Sequence, residues 1–406
     1  MIYRRQIIDK ILPFIPEDEI IVITGARQVG KTSIMLWLKD MLKKEGKPVF
    51  FIDLEDSRNR RALEQGPEML VRMLMEEGFP AESNTKIYVF IDEIQYLSRP
   101  AEFLKLAADH HKNLKLIVSG SSSFEMKSKF HDTLTGRTMV FELFPLSFPE
   151  FLTFKQVHFP EKPAPWTEKK LQEIKTLYKE FVLTGGYPKI VLTASREMKE
   201  MRLQQIIDTY IRVDIKDLAK VEDTDAFNKL LEILASQSGQ LLNISELSQT
   251  LGMARQTVKR YLFILEQTYV LKLVRPFHRN LRNEVVKTPK IFFYDTGIMQ
   301  MLWLKHLSKE MLGQVFETAI FGELVKKFGK NHVYFWRSKD KKEIDFIVQQ
   351  KNQIIPLEVK MNFGKARLTA IKYFMEKYGI GEYYIVGWNN FSDNPHFIYP
   401  WEIWYW

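Results

Sequence analysis

The sequence predicts an α/β fold whose N-terminal part is a parallel sheet covered by helices on both faces. Three observations predict it. Residues 1–145 alternate strand-like and helix-like patterns, with apolar runs at 20–24, 48–53, 86–91, 114–119 and 138–142 and helical periods between them, as at 31–44, 66–77 and 101–111. The first run, Ile20-Ile21-Val22-Ile23-Thr24, meets a glycine-bounded loop and then a helix start, Ser33-Ile34-Met35-Leu36-Trp37-Leu38. Another run, Tyr88-Val89-Phe90-Ile91, ends in two acids, Asp92 and Glu93. Strands that are apolar along their whole length belong to sheets buried on both faces.

The loop Gly25-Ala26-Arg27-Gln28-Val29-Gly30-Lys31-Thr32 fits G-x-x-x-x-G-K-[ST], the phosphate-binding loop of nucleoside triphosphatases. Strand, glycine loop and helix follow in the order the motif needs. Main-chain N–H groups then wrap the phosphates, and the helix N-terminus adds positive potential. Gly25 to Thr32, with Ser33 just inside the helix, are therefore the candidate nucleotide-binding residues of a P-loop NTPase fold. Lys31 is expected to reach the β- and γ-phosphates and the Thr32 hydroxyl to sit on Mg²⁺. Arg27 is a weaker candidate for phosphate contact.

Asp92 is expected to hold Mg²⁺ through water. Glu93 is expected to orient and polarise the attacking water, a task for a carboxylate near the γ-phosphate. The run Leu114-Lys115-Leu116-Ile117-Val118-Ser119-Gly120-Ser121 is another buried strand ending in hydroxyls. Ser119 is the first choice for a γ-phosphate sensor and Ser121 the second, a small-residue turn being the alternative. Arg137, in a short loop before Thr138-Met139-Val140-Phe141, is a candidate for stabilising charge on the transferring phosphoryl group, in cis or from a neighbouring subunit. A solvated surface arginine is the other reading.

From about 145 to 240 the pattern turns helical. Pro145, Pro149, Pro160, Pro163 and Pro165 punctuate its start, and Gly185-Gly186-Tyr187-Pro188 breaks it again. Residues 226–290 read as three helices and two strands, the spacing of a winged helix-turn-helix. Ser245–Leu251 would be the supporting helix, Gly252 the turn, and 254–267 the recognition helix. Arg255, Gln256, Lys259 and Arg260 fall near the N-terminal half of that helix, where side chains can reach a major groove, while Tyr261, Leu262, Ile264 and Leu265 would pack inward. Arg275, His278, Arg279 and Arg282 add a basic patch suited to phosphates. Such modules also dock proteins or serve structure alone, so DNA is a candidate partner only.

From about 295 the order becomes helix, three strands, helix and strand. Glu343-Ile344-Asp345-Phe346-Ile347-Val348 and Ile354-Ile355-Pro356-Leu357-Glu358-Val359-Lys360 read as strands joined by a polar turn. Asp345 comes to lie across from Glu358, and alternation puts Glu358 and Lys360 on one face. Two carboxylates and a lysine at one spot can hold Mg²⁺ and activate water. An ion-paired edge hairpin is the plain alternative.

Composition narrows the classes. The chain has 406 residues, enough for two or three domains, and 45% are hydrophobic, enough for sizeable cores. A net charge of +9 weakly favours an anionic partner. With no cysteine, disulfides and thiol catalysis are excluded, which suits a reducing cytosol. The first residues lack a signal-peptide core, and no apolar run approaches the ~20 residues of a membrane span. A cytoplasmic protein with no membrane partner is expected.

Together, Gly25–Thr32, Phe90-Ile91-Asp92-Glu93-Ile94-Gln95, Leu134-Thr135-Gly136-Arg137, Phe144-Pro145-Leu146-Ser147-Phe148-Pro149-Glu150-Phe151 and Gly185-Gly186-Tyr187-Pro188 resemble the AAA+ ATPases, more narrowly a prokaryotic branch of ATP-binding proteins. The resemblance runs over nearly the whole chain and implies ATP as the nucleotide. It implies four parts: an ATPase core at 1–145, a helical lid at 146–225, a winged helix-turn-helix at 226–295 and a nuclease-like α/β domain at 296–406. The last resembles nucleases of the restriction-endonuclease-like fold. That resemblance implies a metal site of Asp345, Glu358 and Lys360 completed by a helix glutamate, Glu317 in preference to Glu323. Ile344 stands where many such enzymes carry proline.

The leading expectation is an ATPase that hydrolyses Mg-ATP and couples it to a DNA-binding or nuclease-like C-terminal half, with a homo-oligomer as candidate assembly. An ATP-gated metal-dependent nuclease and a non-enzymatic, ATP-switched binding module are the alternatives.

Overall fold

A computed structural model describes residues 3–79, 85–120, 134, 136–160, 162, 166–278, 288–350, 353–390 and 394–406. Ser121, Thr135, Pro163, Pro165, Arg279 and Arg282 lie outside them. The chain divides into two compact units, residues 1–144 with 267–269, and residues 145–266 with 270–406.

The first unit is built on five strands: β1 (Ile20–Gly25), β2 (Val49–Asp53), β3 (Ile87–Asp92), β4 (Leu114–Gly120) and β5 (Thr138–Leu143). Their order is β2-β3-β4-β1-β5, and every pairing is parallel. All five coincide closely with the apolar runs of the sequence. Every residue of β1, β3 and β4 is buried. Helices Lys31–Lys44, Ser57–Leu63, Pro67–Glu76 and Pro100–His110 alternate with the strands. Leu70, Leu74, Leu104 and Ala107 from these helices pack with Val89, Ile91, Leu116 and Val118 in the core. In a parallel sheet all strand C-termini share one edge, so the residues following β1 and β3 meet there.

The second unit opens with helices Phe148–Phe154, Glu168–Thr184, Pro188–Val191 and Arg196–Ile206; the last continues into a π-helical stretch, Ile207–Ile215. Ser147 caps the first of these, accepting from Glu150 N, while the Glu150 carboxylate accepts from Ser147 N. A buried clasp holds the Gly185-Gly186 turn. Asp295 is 6% exposed and accepts from the backbone N–H of Gly186 (2.8 Å) and of Ile298 (2.9 Å). A Cβ on Gly185, whose φ is +78°, would stand 2.4 Å from Asp295 Oδ1, and one on Gly297 would stand 2.4 Å from the Thr184 carbonyl oxygen. Only glycine fits at either position.

Helices Thr224–Ser236, Ile244–Leu251 and Arg255–Gln267 follow, then the antiparallel pair β6 (Leu271–Val274) and β7 (Lys290–Phe293). Asn243 caps the second helix and Gly252, in the left-handed region, ends it. Val258, Tyr261, Leu262, Ile264 and Leu265 are buried, while Arg255, Gln256, Lys259 and Arg260 are exposed.

Helices Thr296–Leu304 and Gly313–Phe328 lead to a second five-stranded sheet: β8 (Val333–Arg337), β9 (Glu343–Gln350), β10 (Gln353–Asn362), β11 (Tyr384–Asn389) and β12 (Phe397–Ile398). Its order is β12-β11-β10-β9-β8, antiparallel across β8, β9 and β10 and parallel beyond. Among the described residues no helix is long and apolar enough to cross a membrane.

Candidate functional site: a phosphate-loop site and a buried carboxylate cluster

The loop after β1 is shaped by three backbone constraints. A Cβ on Gly25 would stand 2.2 Å from the Leu143 carbonyl oxygen, so only glycine fits beside β5. Gln28 (φ +62°) and Gly30 (φ +103°) are left-handed. Successive left-handed turns point main-chain N–H groups into one concavity, the arrangement that holds phosphate. The helix starting at Lys31 adds its N-terminal N–H groups.

Lys31 is 4% exposed, and its ammonium donates to the carbonyl oxygens of Ala26 (2.9 Å) and Gly25 (3.4 Å). Burial pushes its pKa down; the nearby Glu93 and Asp92 carboxylates oppose that, Glu93 more strongly. Glu93 thus lies within electrostatic reach of the lysine. Thr32 Oγ1 donates to Asp92 Oδ2 at 2.6 Å, across 60 residues of sequence. The hydroxyl and carboxylate make a hard-oxygen pair of the type Mg²⁺ prefers, so the residues present fit that ion.

Ser119 is fully buried, and its hydroxyl donates to Asp92 Oδ1 while accepting from the Glu93 N–H at 3.1 Å. It therefore stands behind the two acids and fixes both. Glu93 is left-handed (φ +57°), which turns the chain sharply into the 3₁₀ segment Ile94–Tyr96. The turn brings the Gln95 amide back to donate to Glu93 Oε2. Gln28, Thr32 and Ser33 are exposed, and Arg27 is half-buried.

Arg137 does not join this site. It precedes β5, whose first residue Thr138 pairs with Ile20, whereas the loop begins where Gly25 pairs with Leu143. Six residues of strand separate the two ends, about 20 Å at ~3.3 Å per residue. A role in cis is corrected accordingly: the parallel sheet carries Arg137 to the opposite edge. There its guanidinium meets Asp109 at 3.0 Å and holds that carboxyl below its usual range. Both line a cleft of about 350 Å³ with Glu17, Asp18, Glu19 and Lys112.

In the second unit, β9 and β10 pair through Leu357 and Phe346. One residue further on, Asp345 Oδ2 accepts from Val359 N–H at 2.8 Å. The Lys360 ammonium lies between Glu358 Oε1 (2.6 Å) and Asp345 Oδ2 (3.5 Å). Burial, then the Asp345 charge, pushes Glu358 up to about 7 and Glu317 up to about 8. Lys290 on β7 pairs with Glu343 (2.6 Å) and Glu317 (3.7 Å). Among the described residues, Glu317 Oε1 and Glu358 Oε2 are buried and accept no hydrogen bond. Also among those residues, no three His, Asp or Glu side chains stand close enough together to enclose a metal ion.

Glu323, the other glutamate weighed on this helix, serves elsewhere. It is fully buried, accepts from Phe148 N–H (2.9 Å) and the Trp404 indole (2.7 Å), and pairs with Lys326 (3.0 Å).

Comparison with known proteins covers all three stretches of the chain. Residues 17–152 match the model of an AAA domain, the domain type found in ATP-binding ATPases. Residues 175–310 match a domain of unknown function, DUF8612, and residues 312–402 another, DUF4143. An uncharacterized Haemophilus influenzae protein is 27% identical over 96% of this chain and 98% of its own length. An uncharacterized Methanocaldococcus jannaschii protein is 27% identical over 87% of this chain and 76% of its own. A solved Walker-type ATPase of Pyrococcus abyssi is 16% identical, with a TM-score of 0.46, over 74% of this chain and 96% of that one.

One contributor to the first site carries no sequence signal. Arg5, 5% exposed, donates to the Val29 carbonyl oxygen of the loop and to the Phe144 carbonyl oxygen, both at 2.9 Å. Beside Arg4 near the chain start, it reads as a solvated charge; only the fold makes it internal.

Proposed function

We propose that the protein is an AAA+ ATPase that binds and hydrolyses Mg-ATP. The single observation carrying this reading is the Thr32–Asp92 pair at 2.6 Å, braced by Ser119 and flanked by Lys31 and Glu93. Gly25 to Ser33 surround the triphosphate, and the Lys31 ammonium leaves the Ala26 and Gly25 carbonyls for the phosphate oxygens. Thr32 and Asp92 would hold Mg²⁺, which supplies charge neutralisation at the phosphates. Glu93, oriented by Gln95 and by its left-handed backbone, takes the proton of the attacking water. Ser119 keeps Asp92 and the Glu93 main chain in place. Arg137, at the far edge of the sheet, acts on the nucleotide of a second copy in a homo-oligomer.

The downstream parts fit a helical lid, a winged helix-turn-helix presenting Arg255, Gln256, Lys259 and Arg260 to DNA, and a nuclease-like domain. The exposed basic face of helix Arg255–Gln267 supports the DNA contact. The Asp345, Glu358 and Lys360 contacts, with Glu317 nearby on its helix, favour a second reading, an ATP-gated nuclease in which substrate or nucleic acid would have to draw the carboxylates together before they could share a metal ion.

One experiment tests both. ATP turnover and DNA integrity are followed together in the wild type, Lys31→Ala, Glu93→Gln and Asp345→Ala. Turnover lost in the first two variants supports the ATPase, and cleavage lost in the third supports the nuclease. Turnover that persists in both Lys31→Ala and Glu93→Gln sinks the first reading; cleavage indifferent to Asp345→Ala sinks the second.

A further inference from the structure

Arg5 lies outside residues 17–152, the span matched by the AAA domain, yet it is bonded to the phosphate loop. Its guanidinium fork bridges two main-chain oxygens 115 residues apart, that of Val29 within the loop and that of Phe144 just past β5, each at 2.9 Å. Gly25, at the other end of the loop, sits against Leu143, the neighbour of Phe144. Both ends of the loop are therefore referred to the same two residues.

The consequence follows from the planarity of the peptide group. In a trans peptide the C=O and the next N–H point to opposite sides. A Val29 carbonyl drawn toward Arg5 turns the Gly30 N–H away from Arg5, toward the concave side of the loop. The left-handed Gly30 and the helix beginning at Lys31 continue that concavity. The Arg5 guanidinium also brings positive charge to the Val29 side of the loop, while Lys31 serves the phosphate side.

We propose that Arg5 is a positioning residue of the nucleotide site, fixing the Val29–Gly30 peptide with its N–H toward the phosphates and adding positive potential behind them. The proposal rests on the ATP-binding reading above. A lysine cannot replace it fully, because a single ammonium does not span both carbonyls as the planar fork does.

The test compares full-length wild type, Lys31→Ala, Arg5→Met and Arg5→Lys for fluorescent ATP-analogue affinity, kcat, KM and thermal unfolding. Loss of a charge-assisted bond at the loop predicts a Kd and KM about tenfold or more higher in Arg5→Met. Its kcat should stay within about threefold of wild type, and Arg5→Lys should be intermediate. A purely structural role would lower kcat and the melting temperature together without that split. Wild-type affinity in both Arg5 variants overturns the proposal, as does an unfolded Arg5→Met beside an Arg5→Lys with normal KM. A wild type that binds no nucleotide refutes the ATP reading itself, which Lys31→Ala reports independently.

Discussion

Replacing Glu323 with alanine should destabilise the C-terminal unit far more than any change at Glu317, although both sit on the helix Gly313–Phe328. Glu323 is fully buried and satisfies three groups: the Phe148 N–H, the Trp404 indole N–H and the Lys326 ammonium. Lys326 is itself only 10% exposed and donates to the Leu146 carbonyl oxygen at 3.0 Å. Truncation leaves a buried cation without its counter-charge, which costs about 3–5 kcal/mol. It also leaves two donors without a charged acceptor, at about 1.5–3 kcal/mol each. These losses overlap, and about 4 kcal/mol is a fair central figure. At about 2–4 °C per kcal/mol for a unit of this size, the melting temperature should fall by about 8–16 °C. Glu323→Gln keeps one acceptor oxygen and should lose about half as much. Burial, then the Asp345 charge, holds Glu317 at about 8, so at pH 7 it is mostly protonated; Glu317→Gln removes little charge, and its transition should stay close to wild type. Differential scanning calorimetry at pH 7 measures all three. A Glu323→Ala transition within about 2 °C of wild type would refute the bonding scheme, and with it the separation of the two glutamates into structural and cluster roles.

The buried carboxyls also set a pH dependence. Glu358 and Glu317 are held above their ordinary value of 4.5, at about 7 and about 8, so the folded unit favours their protonated forms. Stability from this source is greatest in acid, declines as pH rises from about 4.5 through 8, and levels off above. Denaturant titrations from pH 5 to 9 should show the decline flattened in Glu358→Gln; parallel curves for variant and wild type would exclude it. Arg137→Ala should leave nucleotide affinity within about twofold while lowering turnover by about 10³-fold. Mixing Arg137→Ala with Lys31→Ala should then restore turnover from two inactive preparations, and failure to restore it rules out action in trans.

Much of the first unit was readable because the signals are local. All five strands of the parallel sheet stand where largely apolar runs predict them, and the glycine loop follows β1 as its motif requires. Helix Arg255–Gln267 buries Tyr261, Leu262, Ile264 and Leu265, as a period of 3.6 demands. The place of Arg137 was also implicit: a residue just before a parallel strand lies at the opposite edge from one just after its neighbour. Other features depend on distant partners. Arg5 acquires its role only when residues 29 and 144 arrive beside it. Glu317 and Glu323 differ only in what packs against their two faces of one helix. The π-helical stretch Ile207–Ile215 continues the helical residue pattern before it, and nothing in its composition sets it apart from an α-helix.

The clasp between the Gly185-Gly186 turn and Asp295 bears on how the chain can be cut. Two stretches more than a hundred residues apart complete one buried knot, and neither glycine nor carboxylate has a local substitute. An expression fragment ending before residue 295 would leave the helices from 145 onward with an open turn and an unfilled acceptor position. Dissection of this half of the molecule should therefore keep residues 145–406 in one piece, and pairs of fragments split between 186 and 295 should regain their fold only when expressed together.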